Sequence, residues 1–510
     1  MESKSYFVGV DIGTSNVVMV VGSRKGSGGA IEIEGVSSQE IESGVSAGRI
    51  DNINTVGVAI RKAKEELEEE LHICINEAYA GISSESVRCA YYTDHVFVKD
   101  STSNCISKED VASLHERMYN VHADSGEEII ARIPQNYVID EGREIEDPVG
   151  SFGHTLSSTF MFILCPKSQL ERVRMSFFNA GLKPPLAVRV NPCELPRTLL
   201  SQEEREEGVV IVDIGGGTTD VSVTRGGKLR YIATVPIGAQ SINADMHAFG
   251  IFESKTESIK KRYGSAVADM VEADSVIPMA LAGMHKRDFP QRNLVSIIEA
   301  RLKDIVEYAM AEVKYAKMTS KVPCGFVITG GCSTLENIDE LFRRETKLPA
   351  RLGGAKEGVT EGSLDNISTF AHSAAVAVML YGATCQACNV TAQRGAVPVQ
   401  PQPHSQTVRG PQPSVTTQRP VAEVPKSAEV PVTEVAEVKG PATLTGEVTD
   451  EGDTTSKVES QEQRPEERNT EGNKSKKGNK GPGLFSRAWH GIARTVNMIV
   501  GNEEDGNDIL

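Results

Sequence analysis

Two aspartates at the ends of apolar runs, Asp11 and Asp213, are the residues best suited to chemistry, because each is followed at once by a turn rich in glycine and hydroxyls. The first turn offers Gly13, Thr14, Ser15 and Asn16; the second offers Gly215, Gly216, Gly217, Thr218 and Thr219. Glycine lets backbone N–H groups approach an anion, and the side chains add further donors. An aspartate at each strand end can hold a hydrated Mg²⁺, which keeps waters and takes one or two carboxylates. Together these groups suit a nucleoside triphosphate clamped between two turns. Either turn alone reads as an ordinary β-hairpin, and it is the pair that points to a ligand. Asp220, directly after Thr219, is compatible with a catalytic or a structural role. A third turn follows the apolar run ending at Thr329: Gly330, Gly331 and Cys332 lead through Ser333 into a helical pattern over 334–346. A flat base or ribose fits against such a strand-to-helix turn, although tight loops of this kind occur in any α/β fold.

The elements that must position these turns form a degenerate repeat. Residues 8–22 and 210–223 each read as an apolar strand, Asp-Ile-Gly, a small-residue turn and a second alternating strand, with the two aspartates 202 residues apart. Two related lobes, each opening with a β-hairpin, are expected. A chain of 510 residues exceeds a single hydrophobic core. Between the lobes, residues 106–121 predict an amphipathic helix with Ser107 as N-cap and Asp110 at its third position, followed by strands including 159–165 and a helix over 169–182. Pro192 and Pro196 predict an interrupted helix at 189–200.

These segments are similar to the actin, sugar-kinase and heat-shock-chaperone superfamily, whose two phosphate loops and adenosine loop occur in this order. Within it the chain resembles the FtsA family over nearly all of residues 6–382 and at its C-terminal end. Residues 43–71 look like the segment after the first hairpin. Ile133-Pro134-Gln135 with Tyr137, and Asp147-Pro148-Val149-Gly150, look like steps of the family's inserted subdomain. Residues 235–264 resemble the segment that closes over the nucleotide. The resemblance implies an actin-like two-lobed α/β ATPase fold with an FtsA-type inserted α+β subdomain, a disordered linker and a C-terminal amphipathic helix. It implies ATP and Mg²⁺ as ligands, with Glu257 and Lys260 near the ribose; from spacing alone those two would be a solvated ion pair. It also implies self-assembly into filaments, other division proteins as partners, and the FtsZ C-terminal peptide on the region 224–320, where Arg292, Arg301 and Lys303 lie on a helical pattern over 286–309. Any ATP hydrolysis is expected to be slow. A small-molecule kinase of the same superfamily is the alternative, but no substrate-recognition segment is visible.

The expected division is a first lobe at 1–82, the inserted unit at 83–182, a second lobe at 183–385, a linker at 386–480, a membrane helix at 481–502 and an acidic tail at 503–510. The linker contains no Phe, Trp or Tyr and its charges nearly cancel, so it cannot bury enough apolar surface to offset its ordering entropy. Beyond it, stepping ~100° per residue along a helix places Phe485, Trp489, Ile492, Val496 and Ile499 in one arc with Arg487 and Arg494 nearly opposite. That pattern suits a shallow interfacial helix on anionic lipid, aided by Lys474, Lys476, Lys477 and Lys480. A helix packing back on the body is the alternative.

The formal charge of −16 argues against general nucleic-acid binding. The apolar stretch Tyr6 to Val10 is broken by Asp11 with no cleavage site after it, and Ala374 to Tyr381 is too short to span a bilayer. The resemblance to the FtsA family implies a location at the cytoplasmic face of the inner membrane at the division site, as a peripheral protein. Nine scattered cysteines show no disulfide framework. The lone pair Cys385 and Cys388 lacks the further ligands of a zinc site.

Overall fold

The computed structural model describes residues 4–392, apart from residues 27, 101–102, 280–286 and 367–369. The expected membrane helix, acidic tail and all but the first residues of the linker lie outside the described residues.

Apolar runs pair where the sequence places them. Strands β1 (Lys4–Ile12) and β2 (Asn16–Lys25) form an antiparallel hairpin with Ile12 opposite Val17, and β3 (Glu32–Glu40) continues it. Helix α1 (Ile53–Leu71) starts at Asn52, whose side chain accepts from the N–H groups of Asn54 and Thr55. Strand β4 (Tyr79–Ile82) then runs parallel to β1.

The inserted unit contains β5 (Arg88–Phe97), α2 (Lys108–Tyr119), β6 (Glu127–Ile139), β7 (Glu144–Ile145) and β8 (Thr155–Pro166). They give a four-stranded sheet in the order β7-β6-β8-β5. The predicted cap of α2 forms reciprocally: Asp110 N–H donates to Ser107 Oγ at 3.2 Å, and Ser107 N–H to Asp110 Oδ2 at 2.9 Å.

Helix α3 (Lys167–Asn179) was expected inside that unit, but its Leu170, Val173 and Phe177 join Ile60 and Ala63 of α1 in the core of the first lobe. Strand β9 (Val188–Val190) then adds to β4, so the first lobe regains the chain well before the second begins. The expected boundaries at 182 and 183 are corrected accordingly. Helix α4 (Asn191–Leu199) is continuous despite its two prolines. Pro192 sits in the first turn, where no N–H bond is required, and buried Leu195 and Leu199 hold the short segment around Pro196.

In the second lobe β10 (Val209–Ile214) and β11 (Thr219–Arg225) repeat the hairpin, and β12 (Lys228–Val235) extends it. Helices α5 (Ala239–Ala248), α6 (Glu253–Tyr263) and α7 (Gln291–Tyr315) follow, then β13 (Phe326–Thr329), α8 (Ile338–Thr346), β14 (Ala350–Leu352) and α9 (Ser373–Cys385).

The first lobe's sheet has the order β9-β4-β1-β2-β3 and the second lobe's β14-β13-β10-β11-β12, the same topology twice. Alternate residues of the first hairpin serve opposite faces: Val8, Val10 and Ile12 pack towards α1, while Phe7 and Val20 meet Ala375, Val376 and Met379 of α9. α9 is buried almost all round and approaches β1 so closely that a Cβ on Gly9 would lie 2.5 Å from the Ala375 carbonyl. With α4 it also covers Val209 and Ile211 of the second sheet. Folded structure extends past the expected limit at 385: Val8 N–H donates to Cys388 Sγ at 3.3 Å, and Val390–Ala392 pairs antiparallel with Ile73–Ile75. All nine cysteines are free thiols, and no helix among the described residues is long and apolar enough to cross a membrane.

Candidate functional site

The glycine turns converge on a cleft of about 1450 Å³ between the lobes. In the first turn Gly13 N–H donates to the Asn16 carbonyl at 2.9 Å; in the second, Gly215 N–H donates to the Thr218 carbonyl at 2.9 Å. The same closed turn therefore occurs twice at the repeat distance. The two turns abut. A Cβ on Gly216 would collide with the Ser15 hydroxyl, and one on Gly217 would lie 2.8 Å from Thr14. Gly13, Thr14, Ser15, Asn16, Gly215, Gly216 and Thr218 line the cleft. Gly217 and Thr219 do not; the Thr219 hydroxyl donates to the Ile237 carbonyl at 2.7 Å.

In the third turn Gly330 has φ +89°, a conformation that favours glycine, and a Cβ there would meet the Asp213 carboxylate. Gly331 has no atom within 4 Å of its Cβ position and lines the cleft with Gly330 and Cys332. A short 3-10 turn, Gly331–Thr334, separates this loop from α8, so the N–H groups of the α-helix begin further along the chain than expected. Burial pushes the Cys332 thiol up to about 11, which leaves it a neutral lining group.

Three carboxylates lie at the cleft floor. Asp11 accepts from Asn191 Nδ2 at 2.7 Å, and the same nitrogen reaches Ser83 Oγ at 3.1 Å. The Ser83 hydroxyl donates to Asp220, which also accepts from Thr234 Oγ1 at 2.5 Å. Among the described residues the Asp213 side chain accepts no hydrogen bond. Burial raises Asp11 to about 6 against the opposing Asn191 bond, and raises Asp220 to about 7 against the bonds from Ser83 and Thr234. Asp213 is raised well above its ordinary value by burial and then by the charges of Asp220 and Asp11. Mutually repelling carboxylates suit a cation. Aspartates at the ends of two strands, Asp11 and Asp213, are a donor set of the kind that fits an ion retaining its waters.

Glu257 and Lys260 form the expected pair at 2.7 Å, with Glu257 exposed and Lys260 buried. The Lys260 side chain is 5% exposed, donates also to the Ala239 carbonyl at 3.3 Å, and lines the cleft with Glu257. Burial alone would raise Glu257; hydrogen bonds from Lys260 and Asn243 hold it below its usual value. Ser83, Asn191, Asn243 and His372 are lining residues that sequence reasoning missed. Each lies outside the glycine turns, and only the Asn191-Pro192 step carried a local turn signal.

Arg292, Arg301 and Lys303 all lie on α7 outside the cleft, and each has partners in this chain. Arg301 pairs with Asp245 at 2.6 Å and Asp304 at 2.9 Å, and Lys303 with Glu299 at 2.7 Å. Arg292 donates to the Ala268 carbonyl at 3.1 Å. Phe485, Arg487, Trp489, Ile492, Arg494, Val496 and Ile499 lie outside the described residues.

Two sheets of one topology, closing on paired phosphate-type turns, define an actin-like two-lobed protein. Among solved structures the fold is similar to that of the PilM-PilN type IV pilus biogenesis complex, with a TM-score of 0.51 and 14% identity over 74% of this chain and 98% of that one. Residues 210–377 match the family model described as Cell division protein FtsA, and residues 85–164 the SHS2 domain inserted in FTSA. The chain is 26% identical over 384 residues to cell division protein FtsA of Pseudomonas aeruginosa, covering 75% of this chain and 90% of that protein. It is 28% identical over 344 residues to the Bacillus subtilis protein of that name, covering 67% and 77%. The chain belongs to the FtsA family of cell-division proteins.

Proposed function

We propose that the cleft binds ATP with a hydrated Mg²⁺, and that the protein polymerises and anchors FtsZ to the cytoplasmic face of the inner membrane, where it helps recruit later division proteins. The observation that carries the nucleotide reading is the abutment of two identical closed turns beside three carboxylates at the cleft floor, Asp220 buried and Asp11 and Asp213 partly exposed. The N–H groups of residues 13–16 and 215–218 would hold the phosphates, and Asp11 and Asp213 would hold the water shell of the ion. Glu257 and Lys260 would face the ribose, with Gly330, Gly331 and Cys332 beside the nucleoside. Bound MgATP would supply phosphate charge shared by both lobes and a cation that offsets the repulsion among the carboxylates. Membership of the FtsA family supports the cytoskeletal role over that of a metabolic kinase. The FtsZ peptide would dock on α7, and residues 481–502 would serve as a reversible membrane anchor.

Two measurements test this reading. Calorimetric titration with MgATP should show one site per chain. Co-sedimentation with anionic liposomes should carry FtsZ down only when this protein is present. Absence of a binding heat would overturn the cleft assignment, and FtsZ left in the supernatant beside pelleted protein would overturn the anchoring role.

A further inference from the structure

The step Ile133-Pro134-Gln135 with Tyr137 lies on β6, and the cleft uses none of it. Its structure is a β-bulge. Tyr137 pairs with Ser158 and Pro134 with Phe160, so Gln135 and Asn136 together oppose the single residue Thr159. Proline supplies no ladder donor and suits such a break, and a bulge re-aims the side chains it carries. Here they are aimed at the second lobe. Buried Gln135 donates from Nε2 to the Leu229 carbonyl at 3.1 Å and accepts from Arg230 Nη1 at 3.0 Å. Arg230 Nη2 reaches Asn136 Oδ1 at 3.1 Å, and Lys228 Nζ reaches the Gln135 carbonyl at 3.2 Å.

Arg230 is itself the extra residue of a bulge, because β12 pairs Tyr231 with Val223 and Leu229 with Thr224. Two bulges on different sheets thus interlock through one glutamine and one guanidinium. From β5 of the same inserted unit the Tyr91 hydroxyl donates to the Arg230 carbonyl and the Cys89 thiol to the Ile232 carbonyl at 3.5 Å. The far end of β12 reaches the cleft floor, where Thr234 holds Asp220. Asp220 in turn accepts from Ser83, just before the inserted unit.

We propose that Gln135 and Arg230 are positioning residues that latch the inserted unit to β12, so that occupancy of the cleft is transmitted to that unit along a single strand. This rests on the cleft being a nucleotide site. Both ends of β12 are held by hydrogen bonds, one at Asp220 and the other at the interlocked bulges, and a shift of one end moves the other.

The test is hydrogen–deuterium exchange of the full chain with and without MgATP, together with calorimetry, for the unaltered protein, Gln135→Leu and Arg230→Lys. Leucine keeps the volume, and lysine keeps the charge but cannot bridge Gln135 and Asn136. In the unaltered protein MgATP should slow exchange in residues 13–16 and 215–218 and also along β6 and β8. In both variants affinity should stay within about threefold and the turns should remain protected, while the response of β6 and β8 falls about tenfold. An undiminished response in the variants, or none in the unaltered protein when its turns are protected, overturns the latch. Absence of MgATP binding to the unaltered protein overturns the nucleotide reading and the coupling with it. If Gln135→Leu does not fold, Arg230→Lys decides the outcome.

Discussion

The Ser83 hydroxyl donates to the Asp220 carboxylate across the two lobes, from 137 positions away in the chain. Ser83→Ala leaves Asp220 with the Thr234 bond alone and removes an acceptor from Asn191. The expected loss is about 1–3 kcal/mol, the cost of under-satisfying buried polar groups. Urea denaturation of the ligand-free protein measures it; an unchanged midpoint would show that the lobes do not depend on this bond.

The floor carboxylates give stability a definite pH dependence. Asp11 and Asp220 have folded values near 6 and 7, above the ordinary 3.8. A carboxyl raised on folding contributes its full stability below its unfolded value and loses it as pH rises through the folded value. The ligand-free protein should therefore weaken as pH climbs from about 4 to about 7, with Asp11 responsible for on the order of 3 kcal/mol. Asp11→Asn should flatten that slope, and Mg²⁺ should raise the unfolding midpoint most above pH 7. Denaturation curves between pH 5 and pH 8, with chelator or Mg²⁺, check the sign; stability rising over this window would contradict it.

Two glycines should fail differently. Gly216→Val drives a side chain into Ser15 and separates the two glycine turns, so thermal stability should fall and, on the proposed function, MgATP binding with it. Gly331→Val enters open cleft, so binding should fall by about tenfold or more with the melting temperature nearly unchanged. Paired melting and calorimetric measurements separate the outcomes. Equal losses of melting temperature at both positions would mean that Gly331 is structural.

Trp489→Glu places a charge in the middle of the proposed apolar arc. Release from anionic liposomes is expected, with MgATP affinity unchanged. If the protein polymerises as proposed, avidity of ~10²–10⁴ among weak anchors should make attachment of the unaltered protein steeply concentration-dependent. Liposome sedimentation that ignores the substitution would favour a helix packed on the body.

The hairpins were legible because apolar runs are closed by Asp-Ile-Gly in both, and the cap of α2 because Ser107 and Asp110 stand three apart. The proline argument failed at α4. Local propensity weighed against a helix that packing on both sheets imposes. The boundary at 182 failed for a related reason: the apolar face of α3 does not state which neighbour will cover it. Asn191 and Ser83 could not be found, since they meet from 108 residues apart and each alone is an unexceptional polar residue. The bulge at Gln135 and Asn136 was visible only as a motif, because register is a property of two strands and not of one.

The chain leaves the described fold through Val390–Ala392, laid against Ile73–Ile75 beside the end of α1. If residues beyond it hold a membrane, tension reaches the body at this point. The three-residue pairing is the first element to bear the load, and the Val8 bond to Cys388 lies immediately behind it. Peeling that strand would lengthen the tether by several residues while leaving the cleft and both hairpins untouched. Under such a load the short strand pairing would give slack before the lobes yield.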